Sequence, residues 1–246
     1  MNNTMTLSDT RPLLARATAQ VTPLIESITP ADLDRPTPCA EWSVRDLLSH
    51  LVAVQDRIVH IAGGGHPFDV PSRVDGILDG AWAEAWTSRL APLSQALADD
   101  AVLGRIFEHP AGRMPGAAAI GIYASEFAVH AWDLARALGR DAELDQEVAG
   151  AVVGPMIAAL PAQPRGGVIP FGPVVEVPDD APAYARLVAW VGRDPNGRPR
   201  PAEFVCRFAA RRMTSAPSSP ARAGISSDRR EIPASAGMTG ARSRSG

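Results

Sequence analysis

Apolar side chains recur at three- and four-residue spacings along four long segments of this sequence, and that spacing is typical of one face of an α-helix. Gly63-Gly64-Gly65 ends the second segment and Gly139 the fourth, because glycine tolerates the backbone conformation found just past a helix C-terminus. Four such helices predict an antiparallel bundle with one crossover connection. The predicted helices span residues 10–27, 43–62, 81–99 and 115–138.

Shorter elements complete this predicted all-α fold. Thr29 and Pro30 predict a capped turn, and Ser43 with Asp46 predicts the reciprocal side-chain caps that start the second helix. The connection over residues 66–80 is long enough to be the crossover between the second and third helices. We also expect a short extended stretch and two further helices, over residues 102–114, 146–160 and 183–191 respectively.

The sequence divides into three parts. Residues 9–140 are predicted to form the helical bundle, and residues 141–200 a helical and irregular extension packed on it. Residues 201–246 form an Arg-rich tail dominated towards its end by Ser, Ala, Gly and Pro, and such a segment buries too little apolar surface to offset its ordering entropy. We therefore predict a disordered tail. A nucleic-acid-binding arm is not expected, because no aromatic residue is interleaved with the arginines over residues 213–246.

Composition bears on the cellular compartment. No apolar run approaches the roughly 18 residues that cross a bilayer, and residues 1–10 lack the basic start and apolar stretch of a secretory signal. Two cysteines, Cys39 and Cys206, are too few for a disulfide framework. We expect a reduced, cytoplasmic protein that does not contact a membrane.

Two polar residues lie within the apolar stripe of the fourth predicted helix. Glu126 and His130 are four residues apart and share that face with Tyr123, Phe127 and Leu134. A carboxylate that faces a core is costly to bury unless it is paired or bound to a metal. The pair either grips one ion or is held by hydrogen bonds within the core, and these two residues alone favour neither interpretation.

A third polar residue, His50, points inward from the second predicted helix. A lone inward histidine is most often a satisfied core residue. Two imidazoles and one carboxylate, however, are the protein ligands of a catalytic zinc site that keeps a position open for water or substrate. The three residues together therefore indicate a metal site, with a buried hydrogen-bonded cluster as the alternative.

Three stretches of the chain resemble the mycothiol-dependent maleylpyruvate isomerase-like family, which belongs to the DinB-like metal-binding superfamily. They are residues 37–51 (TPCAEWSVRDLLSHL), 126–135 (EFAVHAWDLA) and 192–195 (GRDP). The resemblance covers about residues 9–196. Each stretch is a weak signal alone, and the combination of the first two is specific.

The resemblance implies a DinB-like four-helix bundle that holds a divalent metal ion, usually zinc, through His50, Glu126 and His130. It also implies a low-molecular-weight thiol such as mycothiol as cosubstrate, used in a transferase or isomerase reaction on small electrophilic molecules. The expected partners are the substrate and the thiol, with a homodimer as an option and no nucleic acid. A non-catalytic, metal-stabilised protein that binds or sequesters a ligand is the alternative.

The chain departs from the family's founding isomerase at its C-terminal end. That isomerase carries a further C-terminal domain that helps to form its substrate site, whereas residues 197–246 offer only the Arg-rich tail. Maleylpyruvate isomerisation is therefore not the expected reaction, and no substrate-binding residue is transferred from that domain.

Other residues near these motifs have a chemical and a structural interpretation. Asp133 could accept a hydrogen bond from a ligand imidazole and so orient that ring, or be a partly exposed helix residue. Cys39 is expected to be a buried structural cysteine more than a reactive one. Trp42 and Trp132 are expected to be packing anchors. The histidines without a partner at ligand spacing are expected to face solvent: His60, His66 and His109.

Overall fold

The computed structural model describes residues 8–39, 42–166 and 171–197. All of them belong to one compact unit, Met1–Arg212. The second unit, Met213–Gly246, lies outside the described residues, and so does the whole predicted disordered tail, residues 201–246. The division into residues 9–140, 141–200 and 201–246 stays a prediction.

The described residues are mostly helical. The α-helices are α1 (Arg11–Glu26), α2 (Val44–Ala62), α3 (Trp82–Thr87), α4 (Leu90–Ala96), α5 (Ala101–Gly104), α6 (Gly116–Leu138), α7 (Gln146–Ala159) and α8 (Ala183–Trp190). Single 3-10 turns span Pro30–Asp32, Pro67–Asp69 and Asp141–Glu143. Strands β1 (Ile106–His109) and β2 (Gly112–Pro115) form an antiparallel hairpin in which Ile106 faces Pro115.

The helix ends follow the local sequence signals. The Ser43 hydroxyl accepts a hydrogen bond from the Asp46 amide at 3.2 Å, and the Asp46 carboxylate accepts one from the Ser43 amide at 3.1 Å. This reciprocal cap starts α2 as predicted. Gly139 ends α6 with a φ of 75°, a conformation that favours glycine.

The prediction of one continuous third helix over residues 81–99 was wrong. The structure breaks it into α3 and α4 at Ser88 and Arg89. Pro92 explains the break, because a proline inside a helix lacks the amide donor and its ring clashes with the carbonyl four residues earlier. Restarting the helix at Leu90 places Pro92 in a first turn, where its amide would have no intrahelical acceptor.

The bundle has four helical layers, which are α1, α2, the broken helix α3–α4, and α6. Hydrogen bonds between them show the direction in which each one runs. Helices α1 and α6 run parallel, since Thr10 Oγ1 donates to the Ala117 carbonyl at 2.6 Å and Arg140 donates to the Pro23 carbonyl at 3.2 Å. Helix α2 runs antiparallel to α6. The Arg105 carbonyl accepts a hydrogen bond from the Gly116 amide at the start of α6 at 2.7 Å, and the Arg105 side chain donates to the carbonyl of Ala62 at the end of α2 at 2.7 Å.

The α2–α3 connection is the crossover that the sequence predicts. It runs back along α2, where the Val74 amide donates to the Ser49 carbonyl at 3.3 Å, and it returns the chain to the start of α2, where Arg45 forms an ion pair with Asp79. Helices α3 and α4 therefore run parallel to α2. The result is an up-down-down-up, all-α bundle of the DinB-like type.

Helix α6 occupies the centre of this arrangement, and 17 of its residues are buried. Helices α7 and α8 pack outside the four layers, where Gln20 of α1 donates to the Tyr184 hydroxyl of α8 at 2.6 Å. No helix in the described part of the chain is both long and apolar enough to cross a membrane.

The start of α6 gives a test of this packing. A Cβ atom at Gly116 would lie 2.0 Å from the Val102 carbonyl oxygen, which belongs to backbone and has little freedom to move. We expect Gly116→Ala to lower the free energy of unfolding by about 1–3 kcal/mol. Urea denaturation followed by circular dichroism measures this difference.

Gly121→Ala in the same helix is the matched control. Its Cβ would meet Thr10 Cγ2 at an ordinary 3.5 Å. Because alanine is the better helix former by about 0.8–1.0 kcal/mol, we expect this variant to be neutral or more stable than the parent. Equal effects of the two substitutions would contradict the tight contact between α5 and α6.

Candidate metal centre

The antiparallel packing of α2 against α6 brings the three predicted ligands together. His50 lies in the second turn of α2, while Glu126 and His130 lie one turn apart near the middle of α6. One ligand atom of each residue lies within 4.8 Å of the others. Both histidines are buried, and the Glu126 side chain is 21% exposed.

The hydrogen bonds of His50 determine which of its nitrogens carries hydrogen. Its Nδ1 lies 2.8 Å from the Ser72 carbonyl oxygen, and its Nε2 lies 3.0 Å from Glu126 Oε1. A carbonyl only accepts hydrogen bonds, so this partner assigns the hydrogen to Nδ1. In the neutral imidazole, the Nε2 lone pair then faces a carboxylate oxygen. Two acceptors at this separation require a positive species between them, which is either a proton or a metal ion.

His130 is oriented in the same way by a different partner. Its Nδ1 lies 3.0 Å from Asp133 Oδ2, and a carboxylate holds the hydrogen on Nδ1. The Nε2 lone pair of His130 is then available as a donor atom. Asp133 itself is fully buried, so the expectation of a partly exposed helix residue does not apply to it.

A buried arginine neutralises Asp133. Arg193, which follows α8, donates from Nε and Nη2 to the two carboxylate oxygens at 2.7 and 2.8 Å. Burial by itself raises the pKa of Asp133, but the Arg193 charge and the hydrogen bonds from His130 and Arg193 hold that pKa below its ordinary value. Arg193 carried no predicted role from the sequence. The one sequence signal for a cationic partner was the position of the Asp133 carboxylate on the inner face of a helix, because a buried carboxylate is costly unless it is paired.

Glu126 is ionised in this environment. Burial by itself raises its pKa, but the hydrogen bond with His50 and the attraction of nearby cationic groups, Arg57 among them, lower the pKa to about 2. The site therefore offers one negative charge and, with both imidazoles neutral, two lone pairs, which is a donor set that suits a zinc-type divalent ion.

Trp42 packs against both imidazoles. Its ring centroid lies 4.9 Å from that of His50 and 5.9 Å from that of His130, and it stacks on His130 with an interplanar angle of 20°. Trp132 is also buried. Both tryptophans are packing residues as expected, and Trp42 additionally limits the rotation of the two histidine rings.

Cys39 belongs to a neighbouring group of potential ligands. It is buried, and its sulfur, with one atom each of His130 and Asp133, forms a second cluster within 4.8 Å. Asp133 is already paired with Arg193 through both oxygens, so this cluster has no uncompensated negative charge to attract a cation. This burial agrees with the structural role expected of the cysteine.

A cavity that is partly open to solvent adjoins the three ligands, and the empty space within it, including the part open to solvent, is about 700 Å³. Apolar side chains line much of it, and two of them, Met156 of α7 and Phe171, come from the chain beyond residue 140. Arg193 also lines the cavity. Residues from the chain beyond position 140 therefore complete the part of the wall that the four-layer bundle leaves open.

The expectation that His109 faces solvent was wrong. His109 is 6% exposed and lines the cavity. Side chains alternate along a strand, so β1 places His109 on the same inward face as Phe107. His60 and His66 were judged correctly, since His60 is half-exposed beside Asp69 and His66 is exposed.

The fold and the cavity define an all-α bundle protein in which two imidazoles and one carboxylate converge. The sequence model of the mycothiol maleylpyruvate isomerase N-terminal domain matches residues 14–135. Two Mycobacterium tuberculosis proteins, uncharacterized protein MT0763 of strain CDC 1551 and uncharacterized protein Rv0738 of strain H37Rv, are each 32% identical over 184 residues, which cover 74% of this chain and 97% of theirs. The chain belongs to the mycothiol maleylpyruvate isomerase N-terminal domain family. No solved structure matches it.

The buried Asp133–Arg193 pair gives a stability test. Removing one partner of a buried ion pair leaves an uncompensated charge, so Asp133→Asn is expected to lower the free energy of unfolding at pH 7 by about 3 kcal/mol or more. Because folding lowers the pKa of Asp133, its contribution is present above the ordinary value of 3.8 and is lost as the pH falls below it. Denaturant titrations at pH 7 and at successively lower pH values measure both effects.

Asp141→Asn is the control, because Asp141 pairs with Arg136 and both side chains are about one-third exposed. We expect that variant to cost less than about 1 kcal/mol. Equal losses in the two variants, or a difference between Asp133→Asn and the parent that does not shrink on acidification, would contradict the assignment.

Proposed function

We propose that this protein binds one divalent metal ion, with zinc preferred by the donor set, through His50, Glu126 and His130. We propose further that it uses the site in a thiol-dependent transfer or isomerisation of small electrophilic molecules. The observation that carries the proposal is the 3.0 Å approach of His50 Nε2 to Glu126 Oε1 while His50 Nδ1 is committed to a carbonyl. A cation between these atoms satisfies both of them.

The residues around the ligands fit such an ion. Each imidazole is oriented through Nδ1, by the Ser72 carbonyl for His50 and by the Asp133 carboxylate for His130. Partners of this kind hold the ring orientation and raise the basicity of the coordinating nitrogen. Three protein ligands beside a cavity also leave a coordination position for an exogenous molecule, as in catalytic zinc sites.

Family membership supports a thiol as the exogenous molecule. A bound divalent cation lowers the pKa of a thiol so that it ionises near neutral pH. The chain's own contribution is positional: Trp42 covers the two imidazoles, and the apolar walls of the cavity exclude water from part of it. The proposal includes a small electrophile as substrate, a thiol as cosubstrate and a cytoplasmic location. The possible homodimer and the absence of a nucleic-acid partner stay predictions.

The alternative function is a non-catalytic one, in which the ion ties α2 to α6 and the cavity sequesters a ligand. It is favoured by the small number of proton-transfer groups near the ligands. Asp133 is committed to Arg193 and His130, and Tyr123 has a pKa raised by burial. Turnover distinguishes the two functions.

Metal content tests the site. Protein purified without a nickel column is expected to contain about one divalent ion per chain by elemental analysis. Glu126→Ala, His50→Ala and His130→Ala each remove one of three ligands and are expected to lose most of it. His60→Ala is the control, because His60 is half-exposed on α2 and pairs with Asp69. Full metal content in all three ligand variants would refute the site.

Thiol turnover tests the reaction. The metal-loaded protein is expected to accelerate the disappearance of mycothiol in the presence of a small activated alkene, measured as loss of free thiol, and the Glu126→Ala variant is not. Stoichiometric thiol binding without turnover across a panel of electrophiles would favour the sequestering protein instead.

A further inference from the structure

Arg57 of α2 is a buried cation without an ion-pair partner among the described residues. It is 7% exposed and donates from Nη2 to the Pro71 carbonyl at 3.1 Å, while its Nε has no hydrogen-bond partner in the described part of the chain. Arg57 lines the same cavity as the three candidate ligands. A buried guanidinium is normally paired with an anion, so the missing partner needs an explanation.

A second unsatisfied donor lines the cavity with it. His109 Nδ1 accepts a hydrogen bond from the Ala111 amide at 3.0 Å, and burial lowers the pKa of His109 to about 4, so the neutral ring carries its hydrogen on Nε2. That Nε2 has no partner among the described residues. The Tyr123 hydroxyl, whose ring lies against His109 with centroids 4.9 Å apart, is also without one. The Nε–H of Arg57, the Nε2–H of His109 and the Tyr123 hydroxyl are therefore three donor groups without an acceptor among the described residues.

The balance of charge identifies what would satisfy them. The charge of Arg193 is balanced by Asp133, and Glu126 is the only carboxylate that lines the cavity among the described residues. When a divalent cation engages Glu126, the positive charge of Arg57 is left without compensation. The cavity then attracts anions, and the planar fork of a guanidinium matches a carboxylate.

We propose that Arg57 and His109 form an anion subsite, which holds a carboxylate group of the small molecule bound in the cavity. The apolar walls contributed by Trp42, Val129 and Phe171 assign an apolar body to the same molecule. The inference deepens the proposed function, since it specifies the substrate class of that site as apolar carboxylates. Because Arg57 Nε and His109 Nε2 are covered by neighbouring atoms, we expect both side chains to turn toward the ligand as it binds.

Benzoate and its neutral isostere benzamide are suitable probes, with binding measured by isothermal titration calorimetry on the metal-loaded full chain, in which the ion engages Glu126. Substitution of Arg57 distinguishes the subsite from a carboxylate held by the metal itself, because only binding at the subsite depends on Arg57. We expect saturable benzoate binding and at least about tenfold weaker benzamide binding, because a charge-assisted hydrogen bond is worth about one to two decades in affinity. Arg57→Met is expected to remove this preference, and Arg57→Lys to retain part of it.

Arg105→Met is the matched control. Arg105 also donates to a backbone carbonyl, that of Ala62, but does not line the cavity. The Arg105→Met variant is expected to bind benzoate with the affinity of the parent. If Arg57→Met fails to fold by circular dichroism, His109→Phe carries the test, because it removes the Nε2 donor, with weaker benzoate binding and unchanged benzamide binding expected.

Absence of benzoate binding, equal binding of benzoate and benzamide, or parental benzoate affinity in the folded Arg57 and His109 variants would overturn the subsite. The metal content of the same samples, together with a parallel titration of the chelator-treated chain, separates this failure from failure of the metal site. Benzoate that binds only after metal loading and is insensitive to Arg57→Met would place the carboxylate on the metal and refute the subsite. Selective binding by a chain that takes up no metal would support the subsite and refute the metal centre.

Discussion

The contact between α2 and α6 is the interaction on which the site depends. Each helix on its own carries isolated polar residues in an apolar face, which is unfavourable in a core. Packed antiparallel, the two helices bring His50 within 3.0 Å of Glu126 and set the two imidazole rings 5.1 Å apart. The polar groups of one helix therefore become the partners of the other, in an arrangement that fits the proposed cation.

Two segments outside these helices keep the imidazoles in place. The crossover connection runs back along α2 and presents the Ser72 carbonyl to His50, so the topology of the bundle also determines which nitrogen of that ring carries hydrogen. The segment after α8 brings Arg193 to Asp133, which in turn orients His130. A bundle with a shorter α2–α3 connection would lack the first of these contacts.

The cavity combines these elements into a surface of mixed character. Its polar groups include the three candidate ligands as well as Arg57 and His109, and apolar side chains make up much of the remaining wall. Such a distribution suits a molecule that has one reactive end, one anionic end and an apolar body. Because α7 and the following chain supply part of the wall, the family domain over residues 14–135 does not form the cavity alone.

The sequence by itself predicted the helices that have strong periodicity and explicit end signals, such as the Ser43 cap of α2 and Gly139 after α6, because these depend on interactions within a few residues. It also predicted that His50, Glu126 and His130 point inward, since helical periodicity determines the face of each residue.

The sequence did not predict the break before Pro92 or the burial of His109, for which the proline and the strand alternation were weak local signals. Only the tertiary structure decided that Arg193 neutralises Asp133, that the Ser72 carbonyl holds His50, and that Arg57 forms no ion pair among the described residues. Those contacts join residues 22 to 60 positions apart or depend on a whole cavity, and no local pattern encodes which distant backbone carbonyl or charge will lie beside a given side chain.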